Sequence, residues 1–340
     1  MKLLFGLLTI ERRTCAAWVA LLVAGWNWGL CAWAAEGANY PLPGRRIVLV
    51  VPFAPGGSTD LLGRLLAEGL SRDLGVPVVV DNRPGAGTGV AAEFVARSSP
   101  DGYTLLLGSS STFVFNPLIT PKLRYDPDLD FAGVTLLASA PMVLLVPANS
   151  KAESFTSWVQ RALTHPGQFN FGSPGRGSTL HLAFEQLMAT TGIRMVHIPY
   201  RGSQPALNAL ASGEIDAYVD LVPTAKAAVD GGLVRALGVL GDKRSAAMPA
   251  VPTLAETGGP ALEVSPLFAL MVPASTPKPI VQRLNQAASR VLDGHEVRDR
   301  LRLLSFEIER SLPEQVMPRF KADRLRWERL IRDRAIVVDP

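Results

Sequence analysis

Short apolar runs alternate with amphipathic stretches through the first two thirds of the chain. Residues 46–51, 76–80 and 103–107 are rich in Val, Leu and Ile and predict buried strands, whereas the apolar spacing of residues 59–74 and 89–97 predicts helices. The same alternation predicts further strands at 169–171 and 195–198 and further helices at 178–190 and 205–212. Strands that alternate with helices indicate βαβ units on parallel sheets, so the chain is expected to be an α/β protein.

Two longer apolar stretches, residues 132–146 and 264–272, differ from the short runs around them. We interpret them as paired crossovers between two lobes. The first lobe then comprises residues 40–140 and 264–340, and the second comprises residues 141–263. A two-strand hinge of this kind lets two lobes close on a ligand in the cleft between them.

The first residues have the pattern of a signal peptide. Lys2 and an Arg12-Arg13 pair precede an apolar run that ends in the small-x-small triplet Ala32-Trp33-Ala34, which predicts a signal over residues 1–34 and a periplasmic protein. Cys15 and Cys31 both lie inside this segment, so the mature protein is expected to contain no cysteine.

Charge and histidine spacing exclude several kinds of partner. The net charge of the chain is only +4 and the basic residues form no stripe, so nucleic acid is not an expected partner. None of the four histidines has metal-ligand spacing, and neither a metal nor another cofactor is expected. The glycine-rich residues 85–89 depart from a dinucleotide fingerprint, and residues 126–130 resemble a calcium loop that lacks its glycine and glutamate, so they are interpreted as a turn.

Two glycine-rich loops each follow a predicted strand and open a predicted helix. We call residues 52–60 (PFAPGGSTD) the first loop and residues 172–179 (GSPGRGST) the second loop. Unpaired backbone N–H groups and the helix dipole make such a position suitable for a carboxylate, and the lysine of a phosphate-binding loop is missing. An ordinary capped turn accounts equally well for the first loop alone. Two such loops that face each other across a cleft are more specific, and the hydroxyl run at residues 108–112 is a candidate third wall.

A series of motifs occurs in one order along nearly the whole mature chain. The series resembles the Bug family of extracytoplasmic receptors, which are the substrate-binding subunits of tripartite tricarboxylate transporters. The motifs are residues 52–60, 79–87 (VVDNRPGAG), 100–106 (PDGYTLL), 125–127, 172–181, 197–202 (HIPYRG), 251–253 and 277–285.

The resemblance implies a type II periplasmic-binding-protein fold, in which two α/β lobes are joined by a two-strand hinge with the ligand cleft between them. It also implies a monomer that binds a small carboxylate, such as a di- or tricarboxylate, an amino acid or an aromatic acid, and that docks on membrane permease subunits without catalysing a reaction. The ligand-binding residues that it implies are Pro55, Gly56, Gly57, Ser58, Thr59, Ser110 and Ser111 in the first lobe, and Gly175, Arg176, Gly177, Ser178, Tyr200, Arg201, Gly202 and Asp220 in the second.

Arg176 departs from the family pattern, which has a small or uncharged residue at this position. An arginine here either selects a second carboxylate of the ligand or points to solvent. Two other functions remain open. A sensor subunit would signal ligand occupancy to a membrane kinase, and a periplasmic hydrolase or isomerase would need Ser58, Asp60 or Asp220 as a reactive group.

Overall fold

The computed structural model describes residues 40–120, 122–262 and 264–333. The predicted signal peptide and its two cysteines lie outside these residues. From Pro43 onwards, the described chain forms one unit by its contacts. Within the described ranges, none of the helices is both long and apolar enough to span a bilayer.

Eleven strands and ten α-helices account for most of the described chain. The strands are β1 (Ile47–Val51), β2 (Val78–Asn82), β3 (Thr104–Ser109), β4 (Phe131–Ser139), β5 (Met142–Pro147), β6 (Asn170–Ser173), β7 (Val196–Pro199), β8 (Ala217–Leu221), β9 (Val234–Leu240), β10 (Leu267–Pro273) and β11 (Glu307–Ile308). The helices are α1 (Ser58–Leu74), α2 (Gly89–Ala96), α3 (Asn116–Ile119), α4 (Phe155–Thr164), α5 (Thr179–Thr191), α6 (Ser203–Ser212), α7 (Val222–Asp230), α8 (Lys278–Asp293), α9 (His295–Leu303) and α10 (Pro313–Asp333).

The strands form two separate sheets, and each sheet with its helices is one α/β lobe. The sheet of the first lobe has the order β11-β4-β10-β3-β1-β2, and that of the second has the order β7-β6-β8-β5-β9. The neighbours of β1 and β6 run parallel to them, whereas β10 and β5 are antiparallel to both of their neighbours. The predicted α/β class and every strand and helix predicted above are confirmed, with ends that shift by one or two residues.

The chain passes between the two sheets twice. It leaves the first sheet at the end of β4 and enters the second with β5 after Ala140 and Pro141, and it returns from β9 to β10. Each long apolar stretch therefore supplies strands rather than a simple linker, because β4, β5 and β10 lie inside their sheets and are buried on both faces. The exact boundary between the lobes at residues 140 and 264 stays a proposal.

The C-terminal helix α10 packs on the first lobe through one apolar side. Its Phe320 ring stacks on Phe113 at 5.0 Å between centroids, and Trp327 meets Phe115 edge to face at 4.8 Å. Both aromatic side chains are buried, whereas Lys321 and Arg326 between them are exposed. Arg324 is partly buried, and its guanidinium donates to the Phe113 carbonyl at 3.4 Å. Residues 126–130 form the predicted turn, in which the Asp130 carboxylate accepts the N–H of Asp126 at 2.7 Å.

Candidate ligand-binding site

The first loop is held in a sharp turn between β1 and α1. Gly56 has a φ of +88°, which favours glycine, and its N–H donates to the Asp60 carboxylate at 3.0 Å. The same carboxylate accepts from Arg64 Nε at 2.8 Å and from Asn82 Nδ2 at 2.9 Å. Burial raises the pKa of Asp60, but these three donors outweigh burial and keep the pKa below its ordinary value.

The N-terminus of α1 leaves backbone donors unused. The N–H groups of Gly57, Ser58 and Thr59 donate to no acceptor among the described residues, although all three residues are buried. Buried amides normally have a partner, and these three lie at the positive end of a helix of 17 residues. This end of the first lobe is therefore suited to an anion.

A matching helix N-terminus approaches from the second lobe. Helix α6 begins at Ser203 after Gly202, whose φ is +144°, and the N–H of Ser203 also lacks an acceptor within the described chain. The two ends lie close together, because a Cβ added to Gly57 would lie 3.5 Å from the Cβ of Ser203. A direct hydrogen bond from the Ala54 N–H to the Arg201 carbonyl, at 3.2 Å, joins the lobes beside them.

The second loop meets the hydroxyl run of the first lobe. Ser178 caps α5 by accepting the N–H of His181 at 3.2 Å. The N–H of Thr179 donates across the cleft to Ser111 Oγ at 2.9 Å. The hydroxyl oxygens of Ser111 and Thr179 lie 3.1 Å apart. On the other side of the cleft, Ser58 hydrogen-bonds Thr224 of α7.

A small cavity lies where these loops converge, with about 30 Å³ open to a water-sized sphere. No charged side chain of the described residues lines it. Its hydroxyl-bearing walls are Ser58, Thr59, Ser109, Ser111, Ser178, Thr179 and Ser203, and its apolar walls are Phe53, Pro174, Leu180, Leu221, Pro266 and Phe268, with Gly57 between them. The Ser109 hydroxyl is 1% exposed and has no hydrogen-bond partner in the described part of the chain, so it is available to a molecule in the cavity.

The predicted site residues of the first lobe divide into lining and supporting positions. Ser110 hydrogen-bonds the Leu267 N–H at 3.0 Å, so its hydroxyl ties β3 to β10. Pro55 and Gly56 are exposed at the turn of the first loop. The positions that line the cavity are Gly57, Ser58, Thr59 and Ser111.

In the second lobe, only Ser178 among the predicted residues lines the cavity. Tyr200 donates to Glu214 Oε1 at 2.7 Å, and burial together with that carboxylate raises its pKa to about 12. Arg201 and Gly202 contribute backbone against the first loop. Gly175, Arg176 and Gly177 form the turn of the second loop, where a Cβ on Gly87 of the first lobe would overlap the Arg176 carbonyl. Arg176 is half-buried and forms no ion pair within the described ranges, so its selection of a second carboxylate stays a prediction.

Asp220 lies beneath the cavity rather than in its wall. It is fully buried, and its Oδ1 accepts from Ser203 Oγ at 2.9 Å and from the Tyr218 hydroxyl at 3.2 Å. Burial raises the pKa of Asp220 to about 7, despite the lowering effect of the Leu221 amide and these two hydroxyls. Asp220 therefore orients Ser203, which contacts the cavity directly.

Several lining residues were not singled out from the sequence. Ser203 follows β7 and Gly202 and begins a helix. The first and second loops show the same order of strand, glycine and hydroxyl residue, so the sequence did contain a signal for Ser203. Phe53 lies within the first loop but was not distinguished from its neighbours there, and Phe268 carries no comparable signal, because an aromatic residue beside a strand is usually part of the core.

Two α/β lobes that meet over a hydroxyl-rich, anion-compatible cavity define a solute-binding protein of the two-lobe class. The family model described as "Tripartite tricarboxylate transporter family receptor" matches residues 62–336. The chain belongs to this family.

Solved structures of relatives confirm the fold class and the resemblance to the Bug family. The structure of Rpa4515 of R. palustris with adipate has a TM-score of 0.84 and 33% identity, over 87% of this chain and 99% of the other. The periplasmic binding protein BugD has a TM-score of 0.83 and 29% identity, over 86% and 99%. MatC of Rhodopseudomonas palustris with bound malate has a TM-score of 0.81 and 34% identity, over 85% and 100%. The chain is thus similar to periplasmic two-lobe receptors over nearly their full length.

Proposed function

We propose that this protein captures a small carboxylate in the periplasm and delivers it to the permease subunits of a tripartite tricarboxylate-type transporter, without altering it chemically. The observation that carries the proposal is the pair of facing helix N-termini. The amides of Gly57 and Ser58, which have no acceptor in the described part of the chain, lie in one lobe opposite that of Ser203 in the other. A carboxylate between them accepts hydrogen bonds from both lobes and neutralises two positive helix ends at once.

The remaining walls suit the body of an organic acid. Phe53 and Phe268 offer apolar contact, while hydroxyls such as that of Ser109 can donate to or accept from a polar substituent. The cavity has room for only a few water molecules, so the lobes must separate before a solute enters. Binding then couples to closure, as expected of a receptor whose closed form is recognised by a permease.

The relatives support the carboxylate class. Rpa4515 was solved with adipate and MatC with bound malate, and both of these ligands are dicarboxylates. The signal-like residues 1–34 support export, and the family description supports a permease partner.

Calorimetric titration with adipate, malate, glutamate and benzoate tests the ligand class, and native mass spectrometry of protein purified from periplasm tests for a co-purified acid. The matched control for adipate is adipamide, which has the same carbon chain without a negative charge. We expect at least one acid to bind and its amide to bind at least about tenfold more weakly, because charged hydrogen bonds contribute more than neutral ones. Equal affinity for acid and amide, or no acid bound in either experiment, would overturn the carboxylate assignment.

Gly57 provides a second test of the same site. A Gly57→Val side chain would fill the gap between Gly57 and Ser203, so acid binding should weaken by about 2 kcal/mol or more while the melting temperature changes little. Unchanged affinity in the titration would remove the first loop from the site.

A further inference from the structure

The two binding loops share a contact that neither family membership nor the cavity lining describes. In each loop, the N–H of a glycine donates to a side chain four residues later, in the first turn of the following helix. Gly56 donates to Asp60 Oδ2 at 3.0 Å, and Gly177 donates to His181 Nδ1 at 3.3 Å. Both glycines have positive φ, of +88° and +77°, so each contact starts from a backbone conformation that favours glycine.

Asp60 is held in place by burial and by hydrogen bonds from two other side chains. The residue is 2% exposed, and its carboxylate is held from two further sides by Arg64 and Asn82. The side-chain amide of Asn82 also donates to the carbonyl of Phe53, at 3.0 Å. Asn82 therefore hydrogen-bonds the first loop near its start, at Phe53, and at its end, at Asp60.

His181 is fixed in an equivalent way beneath the second loop. The residue is fully buried, and its ring stacks on His197 at 4.0 Å between centroids while its Nε2 lies 3.4 Å from Glu185 Oε1. Because Nδ1 accepts the Gly177 N–H, the ring proton belongs on Nε2, towards Glu185. His197 supports the other end of the loop through Ser173 Oγ, at 2.7 Å.

These contacts turn one glycine N–H away from the cleft and present the positions that follow it. In the first loop those positions are Gly57 and Ser58, whose amides donate to none of the described residues, and in the second loop the position is Ser178, which lines the cavity. We infer that Asp60 and His181 are positioning residues. Without touching the acid, Asp60 holds the loop whose amides receive the carboxylate, and His181 holds the loop that places Ser178 in the cavity wall. This inference rests on the proposed function.

A purely electrostatic role of Asp60 predicts the opposite result from positioning. A carboxylate near an anion site repels the anion, so its removal would strengthen binding if charge alone mattered. Under the positioning role, loss of the acceptor weakens binding, and an uncharged acceptor restores it.

The test of Asp60 compares Asp60→Asn, which keeps an oxygen acceptor, with Asp60→Leu, which has none. Calorimetric titrations use adipate and malate, and hydrogen exchange followed by mass spectrometry reports on residues 53–60 of the unliganded protein. We expect Asp60→Leu to weaken binding about tenfold and to accelerate exchange in the first loop, and Asp60→Asn to recover most of both. Tighter binding by Asp60→Leu, or equal exchange in the two variants, would refute the positioning role.

For His181 the matched variants are His181→Asn and His181→Gln. The Asn carbonyl can occupy the position of Nδ1 and accept from Gly177, whereas the longer Gln places its oxygen nearer to Nε2. Both variants lose the ring stacking equally, so a merely structural role lowers the melting temperature and the affinity of both alike. We expect only His181→Gln to accelerate exchange in residues 173–178 and to weaken acid binding.

The two proposals fail separately. If the wild-type protein binds neither probe, the carboxylate function is in doubt, yet the exchange rates of the loops still decide the roles of Asp60 and His181. If the wild type binds and all four variants behave like it, positioning is refuted while the function stands.

Discussion

Asp220 is a carboxyl group without enough partners for its negative charge. Its Oδ1 accepts two hydroxyl donors, but Oδ2 has no hydrogen-bond partner in the part of the chain that the structure describes. Burial then favours the neutral form, which explains the pKa of about 7 and also raises the pKa of neighbouring Tyr218. A charge at this position costs folding free energy, and the gain is a firmly oriented Ser203 at the cavity.

This residue makes the stability of the protein depend on pH. Between about pH 4 and about pH 7, folded Asp220 keeps a proton that the unfolded chain has lost, so the free energy of unfolding falls by about 1.4 kcal/mol for each unit of pH increase. Above that window the loss stays constant. Asp220→Asn should therefore be more stable than the wild type at about pH 8, with no advantage near pH 4. Denaturant titrations at the two pH values measure this difference, and a gap that does not change with pH would contradict it.

Helix α1 depends on glycine at the points where it crosses its neighbours. A Cβ on Gly63 would press on Val51 of β1 at 2.8 Å, and one on Gly69 would overlap Val291 of α8. Helix α1 therefore lies close to β1 and α8, with its N-terminus at the cleft. The geometry of the anion site at this N-terminus thus depends on contacts of Gly63 and Gly69, which lie more than one helical turn further along α1.

Gly69→Ala tests this close packing of two helices. Alanine favours helix by about 1 kcal/mol, but overpacking against Val291 costs about 1–3 kcal/mol, so we expect a net loss in the free energy of unfolding. The double variant with Val291→Ala removes the overlap and should be more stable than the sum of the two single changes predicts. Thermal and denaturant unfolding of the four proteins give the coupling, and strict additivity would show that the two residues do not press on each other.

At the scale of the whole molecule, small residues allow the lobes to meet. The backbone of Gly87 lies against the carbonyl of Arg176, and Gly202 lies against Ala54, so each contact pairs one lobe with the other. Gly87 belongs to the glycine-rich residues 85–89, whose spacing departs from a dinucleotide fingerprint. In the structure Gly87 lies at the contact between the two lobes.

Gly87→Ala should therefore hinder closure. If the closed form becomes a minor species of about a tenth, the apparent affinity for an acid falls about tenfold, and the radius of gyration with ligand stays larger than in the wild type. Alanine at positive φ also adds local strain, since Gly87 has a φ of +58°. Gly75→Ala is the matched control, because Gly75 has a φ of +71° and an added Cβ would lie more than 4 Å from every described residue apart from its own neighbours in the chain. Equal effects of both changes on affinity would assign the result to strain alone.

The local sequence pattern was sufficient to predict the strands, the helices and the glycine-rich loops that precede helices. The strand at Ile47–Val51 and the helix at Ser58–Leu74 follow from apolar spacing and from the glycines between them, because propensity, capping and turn chemistry act within a few residues. The same local signals located Gly57, Ser58, Ser111 and Ser178, all of which line the cavity.

Only the tertiary structure decided which of these residues meet. Ser58 and Thr224 are 166 positions apart, and Ser111 and Thr179 are 68 apart, so no periodicity in the chain could pair them. Tertiary packing likewise turned the Ser110 hydroxyl to Leu267, left that of Ser109 at the cavity without a partner among the described residues, and brought Phe268 to the cavity wall. The physical reason is that a strand or helix start requires only its neighbours in sequence, whereas a binding site requires two sheets whose order and closure are set by burial across the whole chain.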